Sequence, residues 1–358
     1  MRSQGLRIGF QVWSQYATWD ELMAAGQAID ELGFDELWSN DHLLPPPGLL
    51  DVPGRGPIFE GWSVLFGWSA RTQQVRSGCL VSGAAYRHPA LVVKMATALD
   101  HATHGRAALG LGAGWFEAEH RAFGFAFGTV RERLDRLSEA AAICRAMLDG
   151  RPALLQGGWY SADGARNDPP PVQRRLPLVI GGSGARRTLA IVAREADVWN
   201  ADGDDVDEFR RLSAVLDDHC RAIGRAPAAI ERTIGLPAPC IRASRAASVA
   251  ALAMTFRHHG LTRVQADRAA RRSPFADTAP AVAERLCAYR DAGAGAVMFD
   301  WPGPFDRPTL EALAGPVRDV LDEPRGQEVD SCRSGDDTMR KRLRKGDEEA
   351  QRRGVDGR

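Results

Sequence analysis

Short apolar runs alternate with helical spacing along most of this chain, and that rhythm narrows the fold more than any other feature. Residues 6–12 read as a buried strand, and residues 20–32 place Leu22, Ala25, Ile29 and Leu32 on one helical face with Gly33 just beyond its end. The pair recurs as strand 34–38 with helix 60–70, strand 75–81 with a helix over 89–104 opened by Pro89, and strand 106–111 with helix 129–148. An aperiodic stretch at 156–175, rich in glycine and proline, reads as an insertion loop. The alternation then returns with strands at 178–180, 197–199, 232–241 and 294–299 and helices at 185–195, 204–223, 246–259, 281–291 and 309–321. Strands and helices in this order imply right-handed βαβ units and a parallel sheet. The 358 residues hold two average domains or one α/β barrel of ~250–320 residues.

The pattern fills residues 1–321. About half of the residues in 322–358 are charged and few are apolar, so this tail is expected to be disordered. Lys plus Arg and Asp plus Glu both number 46, and so balanced a chain has no long-range field for nucleic acid or an anionic membrane. The six cysteines show no C-x-x-C spacing, and free thiols in a reducing compartment are expected. The first residues lack the apolar core of a signal peptide and the apolar runs fall short of a membrane span, so the expected location is cytoplasmic.

Loops that follow strand C-termini collect the functional groups of a parallel sheet or barrel. Five stand out: Trp13-Ser14-Gln15, Ser39-Asn40-Asp41-His42, Leu80-Val81-Ser82-Gly83, Gly112-Ala113-Gly114-Trp115 and Gly181-Gly182-Ser183-Gly184. The last offers close amides, a hydroxyl and a following helix N-terminus to an anion, with Arg186 and Arg187 nearby; a tight turn built for geometry alone is the alternative. Asp41 beside His42 suits proton transfer, because a carboxylate fixes the tautomer of an imidazole; a capping aspartate and a solvated histidine are the plainer option. Tyr86-Arg87-His88-Pro89 either brings a cation and an imidazole to a helix start or caps it. Glu117 and Glu119 are acids at a pocket rim or solvated first-turn carboxylates. Gly112-Ala113-Gly114 lacks the third glycine of a dinucleotide fingerprint, and His101, His104, His258 and His259 are read as structural, without a carboxylate partner at metal-ligand spacing.

Taken in order, Gly33-Phe34-Asp35-Glu36-Leu37-Trp38, Asp41-His42, Tyr86-Arg87-His88-Pro89 through Asp100, Leu109-Gly110-Leu111-Gly112-Ala113-Gly114-Trp115, Phe123-Gly124 and Pro177-Leu178-Val179-Ile180-Gly181-Gly182-Ser183-Gly184 resemble the luciferase-like monooxygenase superfamily, in the flavour of its coenzyme F420-dependent oxidoreductases. The resemblance spans about residues 6–321. It implies a (β/α)8 TIM barrel with insertion segments and a cofactor lying across the C-terminal ends of the strands. It implies that the cofactor's phosphorylated tail meets Gly181, Gly182, Ser183 and Gly184, and that its ring lies near Leu80, Val81, Ser82, Ala113, Gly114 and Trp115. Asp41 and His42 flank the ring, and a non-prolyl cis peptide is expected at Leu80–Val81 or its neighbour Val81–Ser82. Relatives with a catalytic glutamate directly after the G-x-G turn match Trp115 here, which leaves Glu117 as the candidate acid.

The implied reaction is hydride transfer between reduced F420 and a small organic substrate. Two alternatives stand beside it: a two-component monooxygenase using FMN reduced by a separate reductase, and a barrel that binds a cofactor without chemistry. A homodimer through helices on one side is a further expectation. The pocket is expected from Trp13, the loop 45–59, Trp115 and the insertion around 158–168. All of this requires His42 and the Gly181–Gly184 loop to open onto one cleft.

Overall fold

The structure is a computed structural model, and it describes residues 5–46 and 56–322. The charged tail, apart from Asp322, lies outside the described residues, as does most of the loop 45–59. The strands are β1 (Arg7–Val12), β2 (Glu36–Ser39), β3 (Arg76–Gly83), β4 (Ala107–Gly112), β5 (Ala153–Gln156), β6 (Ser161–Ala165), β7 (Leu178–Gly181), β8 (Val198–Asp202), β9 (Glu231–Leu236), β10 (Cys240–Ile241), β11 (Ala276–Asp277) and β12 (Ala296–Trp301). Eight of them close a parallel barrel in the order β1-β12-β9-β8-β7-β4-β3-β2, with β1 also paired to β2. The parallel sheet implied by the alternation therefore closes into the (β/α)8 barrel implied by the resemblance.

The helices are α1 (Trp19–Glu31), α2 (Gly61–Ser69), α3 (Pro89–Ala102), α4 (Glu117–Phe123), α5 (Val130–Leu148), α6 (Thr188–Glu195), α7 (Val206–Ala222), α8 (Arg245–His258), α9 (Arg263–Arg272), α10 (Ala279–Asp291), α11 (Arg307–Ala312) and α12 (Arg318–Asp322). Local chemistry sets several boundaries. Thr18 and Glu21 form a capping box at α1, Thr129 and Glu132 do the same at α5, and Pro89 opens α3.

Four expectations need correction. The stretch read as an insertion loop contains an antiparallel hairpin, β5 with β6. Its turn is held from a distance: Glu139 of α5 accepts from the amides of Gly158, Trp159 and Tyr160, each at 2.9 Å, a signal that no local pattern carries. The strand expected over 232–241 breaks into β9 and β10, because Pro237 and Pro239 have no amide hydrogen for a ladder. The last helix is interrupted by a π-turn, Leu313–Val317, around Pro316. Helix α9 is not expected at all and buries only Ala266 and Ala270, and α4 lies where the first-turn reading of Glu117 and Glu119 allows a helix without setting its range.

Two apolar layers flank the barrel wall. The outer one includes Phe10, Phe34, Trp62, Trp68 and Phe209 under the helices, and the inner one is a small cluster containing Trp38, Ala108, Val179, Val198, Ala296 and Met298. Below that cluster, at the strand N-termini, Arg7 bridges Glu36 and Glu231, Arg76 also reaches Glu36, and Trp38 Nε1 donates to Glu36 at 2.9 Å. Four compensated charges close the bottom, which leaves the C-terminal mouth for ligands.

At that mouth β3 bulges toward the axis. Its register with β4 shifts between Cys79 and Ser82, and the Leu80–Val81 peptide is cis, at the first of the two bonds expected. The G-x-G pattern of β4 makes room for the bulge: a Cβ at Gly110 would collide with the Cys79 carbonyl oxygen, and one at Gly112 with Val81 Cγ2. From the other side Gly181 leaves the same clearance, since a Cβ there would sit 3.0 Å from Val81 Cγ1. These glycines are demanded by close approach, not by dinucleotide binding.

Candidate active site

A cleft of about 710 Å³ opens at the C-terminal ends of the strands, and both His42 and the Gly181–Gly182 pair line it. The condition set by the sequence is met by Gly181 and Gly182 and not by the rest of that loop. Leu80, Val81, Ala113, Gly114, Trp115 and Asp41 also line the cleft. Ser82 does not: it is buried and accepts from Trp62 Nε1 at 3.1 Å. Ser183 and Gly184 are likewise off the lining, and the Ser183 hydroxyl accepts from the Asp202 amide at 3.2 Å.

His42 is held by a carboxylate other than its sequence neighbour. Its Nδ1 lies 3.2 Å from Glu119 Oε1, and its ring stands edge-on to Trp115, with centroids 5.6 Å apart. Asp41 points elsewhere, to Arg87 Nη1 at 2.8 and 2.9 Å and the Gly83 amide at 3.0 Å. Arg87 also reaches Glu60, the N-cap of α2, at 2.6 Å. The carboxylate within hydrogen-bond reach of His42 is thus Glu119 and not Asp41.

Glu119 is fully buried and saturated. Besides His42 it accepts from Tyr86 Oη and from the amides of Leu43 and Leu44, the latter at 3.1 Å. Burial works against its charge, but the hydrogen bonds and charge of His42, with those of Tyr86 and Leu43, outweigh it and hold the carboxyl below its usual range. Burial and the Glu119 anion push the Tyr86 phenol up, so Tyr86 stays a donor. With Nδ1–H committed to Glu119, Nε2 is the nitrogen left to accept a proton from a ligand.

Glu117, the acid expected from sequence, is exposed at the first position of α4 and does not line the cleft. The sequence signal existed. Once residues 117–123 are read as a helix, Phe116, Glu119 and His120 fall on one face, and all three are buried. His88 caps α3 by accepting from the Ala90 amide, so its motif is structural on that side and charged at Arg87.

Across the mouth the polar groups are less occupied. The Gly182 amide donates to the Asn200 carbonyl at 3.0 Å, so it is not free for an anion, and α6 starts only at Thr188, whose side chain lines the cleft. Arg187 is paired with Asp135, and Arg175 donates to Asp197 at 2.7 Å. Asp202, Asp204 and Asp300 line this wall, and none of them was singled out from sequence. Burial pushes the Asp300 carboxyl up to about 7, with Asp202 adding to the rise and the Trp13 hydrogen bond opposing it. Of the expected pocket walls, Trp13, Pro46 and Trp115 contribute, and the hairpin over 158–168 does not.

The luciferase-like monooxygenase family model matches residues 6–298. An F420-dependent glucose-6-phosphate dehydrogenase from Microbacterium testaceum is 30% identical over 224 residues, which are 62% of this chain and 64% of that one. An F420-dependent hydroxymycolic acid dehydrogenase from Mycobacterium tuberculosis is 30% identical over 209 residues, 58% of this chain and 56% of that one. The chain therefore spans less than two thirds of these relatives. An F420-dependent secondary alcohol dehydrogenase solved with an F420–acetone adduct superposes with a TM-score of 0.73 at 16% identity, over 89% of this chain and all of that one. The oxygenating component of 3,6-diketocamphane monooxygenase from Pseudomonas putida, solved with FMN, gives 0.68 at 13% identity over 89% of this chain and all of that one. At those identities the structures share the fold alone, but the family match covers most of the chain: it belongs to the luciferase-like monooxygenase family.

Proposed function

We propose that the protein is an oxidoreductase that transfers a hydride between coenzyme F420 and a small organic substrate, with His42 handling the coupled proton. The observation that carries this is one cleft lined by the Glu119-anchored histidine, the Val81 bulge and the glycines of β4 and β7. A flat ring fits such a floor, because the three positions facing Val81 carry no side chain. Leu80, Val81, Ala113, Gly114 and Trp115 would hold the ring, and the Thr188 hydroxyl its phosphorylated side chain, in the space that Gly181 and Gly182 leave open. When bound, the reduced ring supplies the hydride.

The chain's own part is orientation and proton control. Glu119 fixes the imidazole by its Nδ1–H, Nε2 accepts the proton of an alcohol or returns it to a carbonyl, and the anion stabilises the imidazolium that forms. Trp115, 55% exposed, stands edge-on to His42 where it narrows the access of water. The substrates named for the two curated relatives differ from each other and are not carried over.

FMN, used with a partner reductase and dioxygen, is the second reading, and one observation favours it. Arg175 and Arg187, which a longer acidic cofactor tail needs free, are paired with Asp197 and Asp135. Titration of the protein with F420 and with FMN separates the two. F420 is expected to bind at least ~10-fold tighter, a difference of ~1.4 kcal/mol; tighter binding of FMN overturns the assignment. Binding with no turnover of any acceptor, and no change on altering His42, would leave a non-catalytic barrel.

A further inference from the structure

The wall of β8, β9 and β12 carries a charge pattern that the proposed chemistry leaves unused. Asp202 ends β8 and is registered with Gly235 of β9, which in turn is registered with Met298, two residues before Asp300 on β12. Gly235 has no side chain to separate the two carboxyls; a Cβ there would stand 3.5 Å from Asp202 Oδ1. Asp300 accepts one hydrogen bond, from Trp13 Nε1 at 3.3 Å. Among the described residues the lining of the cleft contains no lysine or arginine; of its other carboxylates, Asp204 lies on the same wall and Asp41 is already paired with Arg87.

A second group on the same wall points to a ligand independently. Asn200, only 3% exposed, lines the cleft; Thr233 occupies its Oδ1 at 2.9 Å, and no acceptor among the described residues takes its Nδ2 hydrogens. An amide donor and two carboxyl groups that open onto the cleft keep hydrogen-bonding and charge capacity for what enters it.

We infer that this wall selects a substrate bearing a protonated amine, its ammonium facing Asp202 and Asp300 and a polar group other than the oxygen that meets His42 taking the Asn200 amide hydrogen. Phosphorylated and carboxylate substrates are turned away. The inference rests on the redox reading above and names the substrate class of that same cleft.

The test is calorimetric titration of the full chain, with and without F420, using aminocyclohexanol, cyclohexanol and hydroxycyclohexanecarboxylate as probes of one skeleton and three charges. The amine is expected to bind about tenfold or more tighter than the carboxylate, as partly screened charge pairs dictate, and the gap narrows with added salt. Asp202→Asn and Asp300→Asn, singly and together, collapse the ratio toward unity. Equal affinities, a preference for the carboxylate, no binding of the amine, or a ratio unchanged in the folded Asp202→Asn variant would each overturn it. Failure of F420 to bind would instead remove the F420 assignment and leave the charge preference standing.

Discussion

The two sides of the barrel mouth treat their polar atoms in opposite ways. On the side of β2, β3 and α4, Glu119 accepts four hydrogen bonds, Asp41 three, and Arg87 joins two carboxylates. On the side of β8, β9 and β12, Asp300 accepts one, and the Asn200 amide has no protein acceptor among the described residues. The lesson is one of division of labour. A reacting group must be held in a single orientation, so its surroundings are saturated; a recognising wall keeps capacity open for what arrives.

If the saturated side carries the chemistry, its central imidazole has the largest effect. His42→Ala is expected to lower turnover by ~100-fold or more while cofactor affinity changes little. Unchanged steady-state rates would dissolve the contrast by removing chemistry from that side. Glu119→Gln comes next. The Gln carbonyl can still accept from the Leu43 and Leu44 amides, which leaves its NH2 against His42; Nδ1 then becomes an acceptor, which puts the hydrogen on Nε2. A ~10–100-fold loss in kcat with KM nearly constant is expected, and nitrogen NMR of the imidazole should report the reversed tautomer. A structural role alone would lower stability and leave the tautomer as it is.

The barrel was legible because burial imposes rhythm: each strand is a short apolar run and each helix an apolar stripe, and both survive in sequence order. The site was legible only where one loop carries its own chemistry. His42, Val81 and Gly181 could be named from local motifs, yet the partner of His42 lies 77 positions away on a helix too short to show its period. Asp202 and Asp300 escaped notice for the same reason. Each is an ordinary acid at the end of a strand, and only barrel closure, with Gly235 between their strands, brings them to one wall. Ser82 failed in the opposite direction: the motif was right, but the strand turns its hydroxyl toward Trp62.

A third way to sharpen the contrast is steric. The saturated side depends on the β3 bulge, which depends on β4 having no side chain at position 110. Gly110→Ala forces a methyl against the Cys79 carbonyl, which belongs to backbone and cannot swing aside. A loss of ~2 kcal/mol in urea denaturation is expected, the usual scale of overpacking in a closed core. A variant as stable as the parent would mean that the bulge yields easily and that this side is not the rigid one.

The smallest effect probes the open side through pH. The Asp300 carboxyl ordinarily titrates near 3.8 and is held up at about 7 in the folded chain, chiefly by burial, so the folded state binds this proton more tightly than the unfolded one. Its contribution is therefore fully present below pH 3.8 and is lost as pH rises through about 7. Asp300→Asn does not titrate, so its stability relative to the parent should climb across that window and level off above it. The gap is expected to reach ~1 kcal/mol, because water in the cleft screens much of the ~1.4 kcal/mol that every tenfold difference in proton affinity carries. Thermal melts at a series of pH values measure it. A gap that is flat with pH would mean that Asp300 already has a counter-charge, and the two sides of the mouth would then differ in nothing but geometry.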